Sequence, residues 1–274
     1  MSKSVSGALR RVLLRENIMD GLFDDLYEVT EQCLIPIIKD KSCRGRSWDR
    51  CYSFFRKYHG SNQEKRETTK ELACLHLGFY LASWGMFRGS GTLIQKDYTI
   101  YKEVVNIVLQ NEYEVLWEPN FFRDILISDN PIRHNRQEIS SIFKLKKQIG
   151  DYINGLTVIR NHFSDVENAH ATETIVTKIL MGTIGCTPAY DTYFRKGLSV
   201  CEIRQCGTST ITSFANLLNI CRENRIWSKL QEQPIECYKV NYPVMRVVDL
   251  YFWTKGFNAK YISKRPSSTQ QFNF

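Results

Sequence analysis

The chain has 274 residues, a net charge of +8, 43% hydrophobic and 24% charged residues. That is enough chain to bury a sizeable core in one large domain or two small ones, with an ordinary globular composition. The longest apolar runs, such as "CLIPII" at 33–38, are far too short to span a bilayer, which excludes a membrane-spanning chain.

In chain order, "MSKSVSGALRRVLLREN" carries basic residues and short apolar pieces but no continuous apolar segment with a small-residue cleavage site. A cytoplasmic protein is therefore expected. Residues 1–58 read as an N-terminal helical region, and the polar stretch "HGSNQEKR" at 59–66 reads as a linker to the main body, 65–258. In "TTKELACLHLGFYLASWGMF" the steps Leu72, Leu75, Phe79, Ala82 and Met86 predict one buried helical stripe, ended by the "RGSG" break at 88–91. Asp97 is placed to cap the next helix, whose buried face is Tyr101, Val104, Val105 and Val108. Residues 137–156 repeat the pattern through Ile139, Ile142, Ile149 and Ile153. Residues 208–224 do so through Ile211, Phe214, Leu218 and Cys221. The last periodic piece, "YPVMRVVDLYFWTKG", has Gly256 as a C-cap, and 259–274 read as a polar tail. Its Asp249 reads as an anchor of the terminal helix. No period-two runs with hairpin turns and no long repeats are evident, so the fold class is all-α, a multi-helix globular protein.

Nine scattered cysteines, an odd number, read as free buried thiols. Cys201-x4-Cys206 lacks zinc spacing, the five histidines show no paired spacing, and no four-cysteine iron–sulfur pattern closes the chain, so neither metal nor cofactor is expected. Basic clusters at Arg10-Arg11, Arg44-Gly45-Arg46 and "KLKK" 144–147 suit a polyanionic partner.

The stretch "MGTIGCTPAYDTYFRKGL", 181–198, carries the functional argument. Thr172 caps a helix through "ETIVTKILMG" that Gly182 or Gly185 ends. Thr187 and Pro188 then read as the start of a second helix, with Asp191 in its first turn. An acidic residue there complements the helix dipole. The larger element, "TKILMGTIGCTPAYDTYFRKGL" at 177–198, resembles that of the helix-hairpin-helix DNA glycosylase superfamily, in which a proline–x–x–aspartate opens a helix. The resemblance implies a helical glycosylase-like core acting on double-stranded DNA with a flipped nucleotide. It matches Asp191 to the catalytic aspartate, Pro188 to the proline before it and Gly185 to the glycine ending the preceding helix. Such an aspartate stabilises the positive sugar or activates the attacking water.

Lys178 is the candidate for the nucleophilic lysine of the bifunctional members, which lies further from its aspartate. The family's Gly-x-Gly phosphate-gripping turn has no counterpart in "SDVENAHATET", 164–174. In "SWGMFRGSG", 83–91, Trp84 is a candidate to stack on an extruded base and Arg88 to contact a phosphate or the orphaned base. Gln95 is a candidate to hydrogen-bond a base edge. Tyr190 and Tyr193 are candidates to line the pocket, with Arg195 beside them as a DNA contact. A non-catalytic nucleic-acid-binding module and a helical protein–protein adaptor remain the alternatives. The excised base, repair against defence, strand cleavage and oligomeric state stay open.

Overall fold

The structure, a computed structural model, describes residues 21–87, 92–127, 136–160, 165–237 and 239–262. It is mostly helical. In order come α1 (Leu26–Lys39), α2 (Arg46–His59), α3 (Gln63–Ser83), α4 (Tyr101–Val108), α5 (Phe121–Ile127) and α6 (Arg136–Asn154). After the strands β1 (Thr157–Arg160) and β2 (Asp165–Asn168) come α7 (Glu173–Thr183), α8 (Thr192–Val200), α9 (Ile211–Glu223) and α10 (Ile226–Glu232). A second strand pair, β3 (Glu236–Cys237) and β4 (Val240–Asn241), leads into α11 (Val244–Ile262). Both strand pairs are short antiparallel hairpins, which the sequence reading did not anticipate; two to four residues are too few to display a period of two.

Helix α7 is the centre of the molecule. Every residue from Ile175 to Thr183 is buried, against α2, α3 and α6. A helix apolar nearly all round belongs inside. Its buried threonines bond back to its own backbone, Thr177 to the Glu173 carbonyl at 2.8 Å and Thr183 to that of Ile179 at 2.8 Å. Trp48 Nε1 of α2 donates to the Met181 carbonyl at 2.9 Å. One continuous apolar core surrounds α7, from Leu22 and Phe23 to Phe252 and Trp253.

The closest-packed pair is α8 and α11. A Cβ at Gly197 would lie 1.8 Å from the Phe252 carbonyl oxygen, and one at Gly256 2.0 Å from that of Tyr193, so both positions admit only glycine. Gly256 is therefore a crossing point inside α11, and the helix runs on to Ile262 instead of ending there. Residues 263–274 of the expected tail lie outside the described residues.

Helix α3 turns a different face inward from the stripe read in the sequence. Leu72, Leu75 and Phe79 are exposed, while Ala73, Cys74, Leu77, Gly78, Tyr80 and Leu81 are buried. The helix is apolar on two sides, and the small residues decide between them. A Cβ at Gly78 would press on the Tyr101 ring of α4, and one at Gly182 of α7 on the Tyr80 ring. Ile211 is likewise exposed at the start of α9, whereas Phe214, Leu218 and Cys221 are buried as expected. The buried faces of α4 and α6 are those the periodicity gave. Asp97 caps the short 3-10 turn Tyr98–Ile100 just before α4.

Candidate functional site

Helix α3 ends at Trp84 in a glycine-closed turn. Gly85, with φ +77°, lets its N–H reach the Ala82 carbonyl and the Met86 N–H that of Leu81. This leaves the Trp84 carbonyl to accept a hydrogen bond from Lys178 Nζ of α7 at 3.2 Å.

Helix α7 ends at a second left-handed glycine, Gly185. Residues 184–191 then stay non-helical. Here the structure corrects the sequence reading: Thr187 and Pro188 do not open α8. Side chains hold the intervening backbone instead. The Ala189 N–H donates to Asp249 Oδ1 at 2.9 Å and the Tyr190 N–H to Thr177 Oγ1 at 2.9 Å, while Thr174 Oγ1 donates to the Tyr190 carbonyl at 3.0 Å. Asp191 itself is the N-cap. Its Oδ1 accepts from the N–H groups of Tyr193 at 2.9 Å and Phe194 at 3.0 Å. Its Oδ2 lies 3.5 Å from Lys178 Nζ.

A narrow cleft opens above this pair. Cys33, Pro36 and Ile37 of α1 form one side, with Cys43, Arg44 and Gly45 at the mouth; Tyr80 and Trp84 form a second side. Lys178, Ala189 and Asp191 form the floor, and Arg246, Asp249, Leu250 and Trp253 of α11 the far wall. The space inside it that a water-sized sphere can occupy is about 40 Å³. Trp84 and Trp253 meet edge to face at 6.2 Å. The exposed Arg44 guanidinium lies 5.7 Å from the Trp84 ring. A wider cleft, about 610 Å³ on the same measure, lies on the other side of the 184–186 turn, but no buried lysine, arginine or carboxylate lines it.

The floor is electrostatically unusual. The Lys178 side chain is only 5% exposed and that of Asp191 14%. Burial lowers the Lys178 pKa below the ordinary lysine value, against the opposing pull of the Asp191 and Asp249 carboxylates. Behind them, Arg246 Nη1 donates to Asp249 Oδ2 at 2.9 Å, with both side chains 4% exposed. Burial pushes the Asp249 carboxyl up to about 6, although Arg246 acts to lower it. The Arg246 guanidinium also lies 4.6 Å over the Trp48 ring. A buried amine beside a carboxylate, in a site walled by aromatic rings, is equipped for proton transfer, nucleophilic attack or stabilisation of a developing cation.

Three residues singled out in the sequence, Asp191, Lys178 and Trp84, thus meet in one cleft. The others do not. Tyr190 turns its ring toward Phe194 and Gly207, and Arg195 is exposed 5.8 Å from that ring. Tyr193 packs edge to face on Trp253 at 5.2 Å, behind the wall, and does not itself line the cleft. Gln95 is exposed on the 3-10 turn Thr92–Gln95, away from the cleft lining. Arg88 lies outside the described residues. The sequence reading missed Arg246 and the depth of Asp249. The available signal was the pair of opposite charges three apart in the otherwise apolar run "VMRVVDLYFW". Comparison of the chain with protein families, with curated proteins and with solved structures finds no match.

Proposed function

We propose that this chain hydrolyses the N-glycosidic bond of a nucleotide flipped out of double-stranded DNA. The observation that supports this reading most is the Asp191–Lys178 pair on the floor of an aromatic-walled cleft. In such a reaction the C1′–N bond breaks, the base leaves with the bonding electrons and a proton, and water adds to C1′. The sugar gains positive charge on the way. Asp191 Oδ2, the oxygen not used in capping, is the group for that charge or for the proton of the water. Lys178 sets the position of that oxygen.

Stacking on Trp84 or Trp253 offsets part of the few kcal/mol that extrusion costs. Entry displaces Arg44 from Trp84, an exposed contact worth about 0.5–1 kcal/mol. The net charge of +8 suits phosphate binding. The test is to incubate the protein with duplex DNAs of natural and modified base content and then treat them with alkali. Breaks in at least one DNA are expected; intact DNA throughout contradicts the reading.

One observation favours a second reading, a helical nucleic-acid-binding module without catalysis. The stretch where the resembled family carries its Gly-x-Gly turn contains β2, a strand. Salt-sensitive DNA retention with no product, unchanged by Asp191→Asn, selects that alternative.

A further inference from the structure

The wider cleft beyond the 184–186 turn offers about 610 Å³ to a water-sized sphere, within the range of small-molecule sites. Its lining carries three cations, Arg56, Lys57 and Lys239, against one carboxylate, Glu118. Arg56 and Lys57 belong to the last turn of α2, and Lys239 to the turn between β3 and β4. Lys57 and Lys239 are exposed, and neither ammonium has a hydrogen-bond or ion-pair partner among the described residues. Arg56 gives Nη1 to the Trp117 carbonyl at 2.5 Å and pairs with no carboxylate among the described residues. Trp227 of α10 is half-buried and lines the same cleft, and its ring meets no other ring and no cation among the described residues. The other rings of the lining are already packed, Tyr52 and Tyr242 on Trp48, and Phe121 on Phe122.

We infer that this cleft binds a free mononucleotide, whose phosphate the three cations draw in and whose base stacks on Trp227. Three cations against one carboxylate leave an excess of two positive charges in the lining, which a phosphate monoester of about −2 answers. A ring without phosphate leaves those cations unanswered. Inorganic phosphate leaves Trp227 bare and most of the space to water. The amides of Asn120, Gln231 and Asn241, which both donate and accept, remain in the lining for the sugar and the base edge. A nucleic-acid strand stacks successive bases on a row of open rings, and Trp227 is a single one. The inference goes beyond the cleavage reading and concerns a different cleft, so either can fail without the other.

The test is calorimetric titration of the whole chain with the 5′-monophosphates of adenosine, guanosine, cytidine and uridine, with the matching nucleosides, with inorganic phosphate and with a short single-stranded oligothymidylate. Saturable binding of at least one monophosphate is expected, about tenfold or more tighter than its nucleoside or inorganic phosphate, and weakening as salt rises. Lys57→Gln combined with Lys239→Gln changes only exposed side chains, so the protein stays folded and the affinity should fall about fivefold or more. Trp227→Leu should lose about tenfold and Trp227→Phe, which keeps a ring, should retain binding. Lys196→Gln, at an exposed lysine of α8 outside the lining, should change nothing. No saturable binding of any monophosphate, equal binding of nucleoside or phosphate alone, or an equal effect of the lysine pair and of Lys196→Gln overturns the inference. Tighter binding of the oligothymidylate, lost in the same lysine pair, gives the cleft to a strand and overturns the free mononucleotide.

Discussion

At the scale of single residues, Asp191 divides its two oxygens between folding and the cleft. Oδ1 caps α8 and Oδ2 faces Lys178. Asparagine caps a helix as well as aspartate does, whereas alanine costs about 1 kcal/mol. Asp191→Asn should therefore melt within a degree or two of the wild type and Asp191→Ala several degrees lower, which thermal unfolding by circular dichroism checks. Lys178→Met should also stay folded, because methionine fills the same channel and Asp191 keeps its two backbone donors, while DNA cleavage by the variant is lost. Asp191 was legible in the sequence from the glycine turn, the proline and the helix that follow one another at 185–198. Its role as the cap was not. Thr187-Pro188 has the local chemistry of a helix start, and it is the distant Asp249 with Thr174 and Thr177 of α7 that hold Ala189 and Tyr190 out of the helix. Arg246 and Asp249 were visible as opposite charges three apart in an apolar run, but no local pattern tells which far segment that helix will bring them to.

At the scale of elements, the site depends on how closely α8 and α11 approach. Helix α8 begins at Asp191, and α11 carries Arg246, Asp249 and Trp253. Gly197→Ala and Gly256→Ala each set a methyl within about 2 Å of a carbonyl oxygen. The helices must part, and each substitution should lower stability by about 2–3 kcal/mol or more in urea unfolding. Gly150→Ala in α6 meets nothing within 4 Å and should raise stability by roughly 0.5–1 kcal/mol in the same measurement. The existence of most helices was legible because periods of three and four survive in a single sequence. Which face of α3 is buried was not, since Leu72, Leu75 and Phe79 compete with Leu77, Tyr80 and Leu81, and the close contacts at Gly78 and Gly182 settle the outcome. The two hairpins were too short to announce themselves.

At the scale of the whole molecule, buried charge links stability to pH. Asp249 titrates near 6 in the fold and near 3.8 when unfolded, so between those values the folded state binds more protons. Stability from this group therefore falls as pH rises from about 4 to 6. Asp249→Asn lacks that slope, so its unfolding free energy should gain on the wild type's between pH 4.5 and 6.5. Other carboxylates contribute alike to both proteins, and a constant difference would contradict the assignment. Net charge acts at the same scale: retention of duplex DNA should weaken steeply as salt rises from about 50 to 200 mM. No helix among the described residues is long and apolar enough to cross a membrane. The most direct test of the account compares single-turnover cleavage of a responsive duplex by the wild type and by Asp191→Asn. The account predicts a loss of about 100-fold or more at unchanged melting temperature. Equal rates for the two proteins would contradict it.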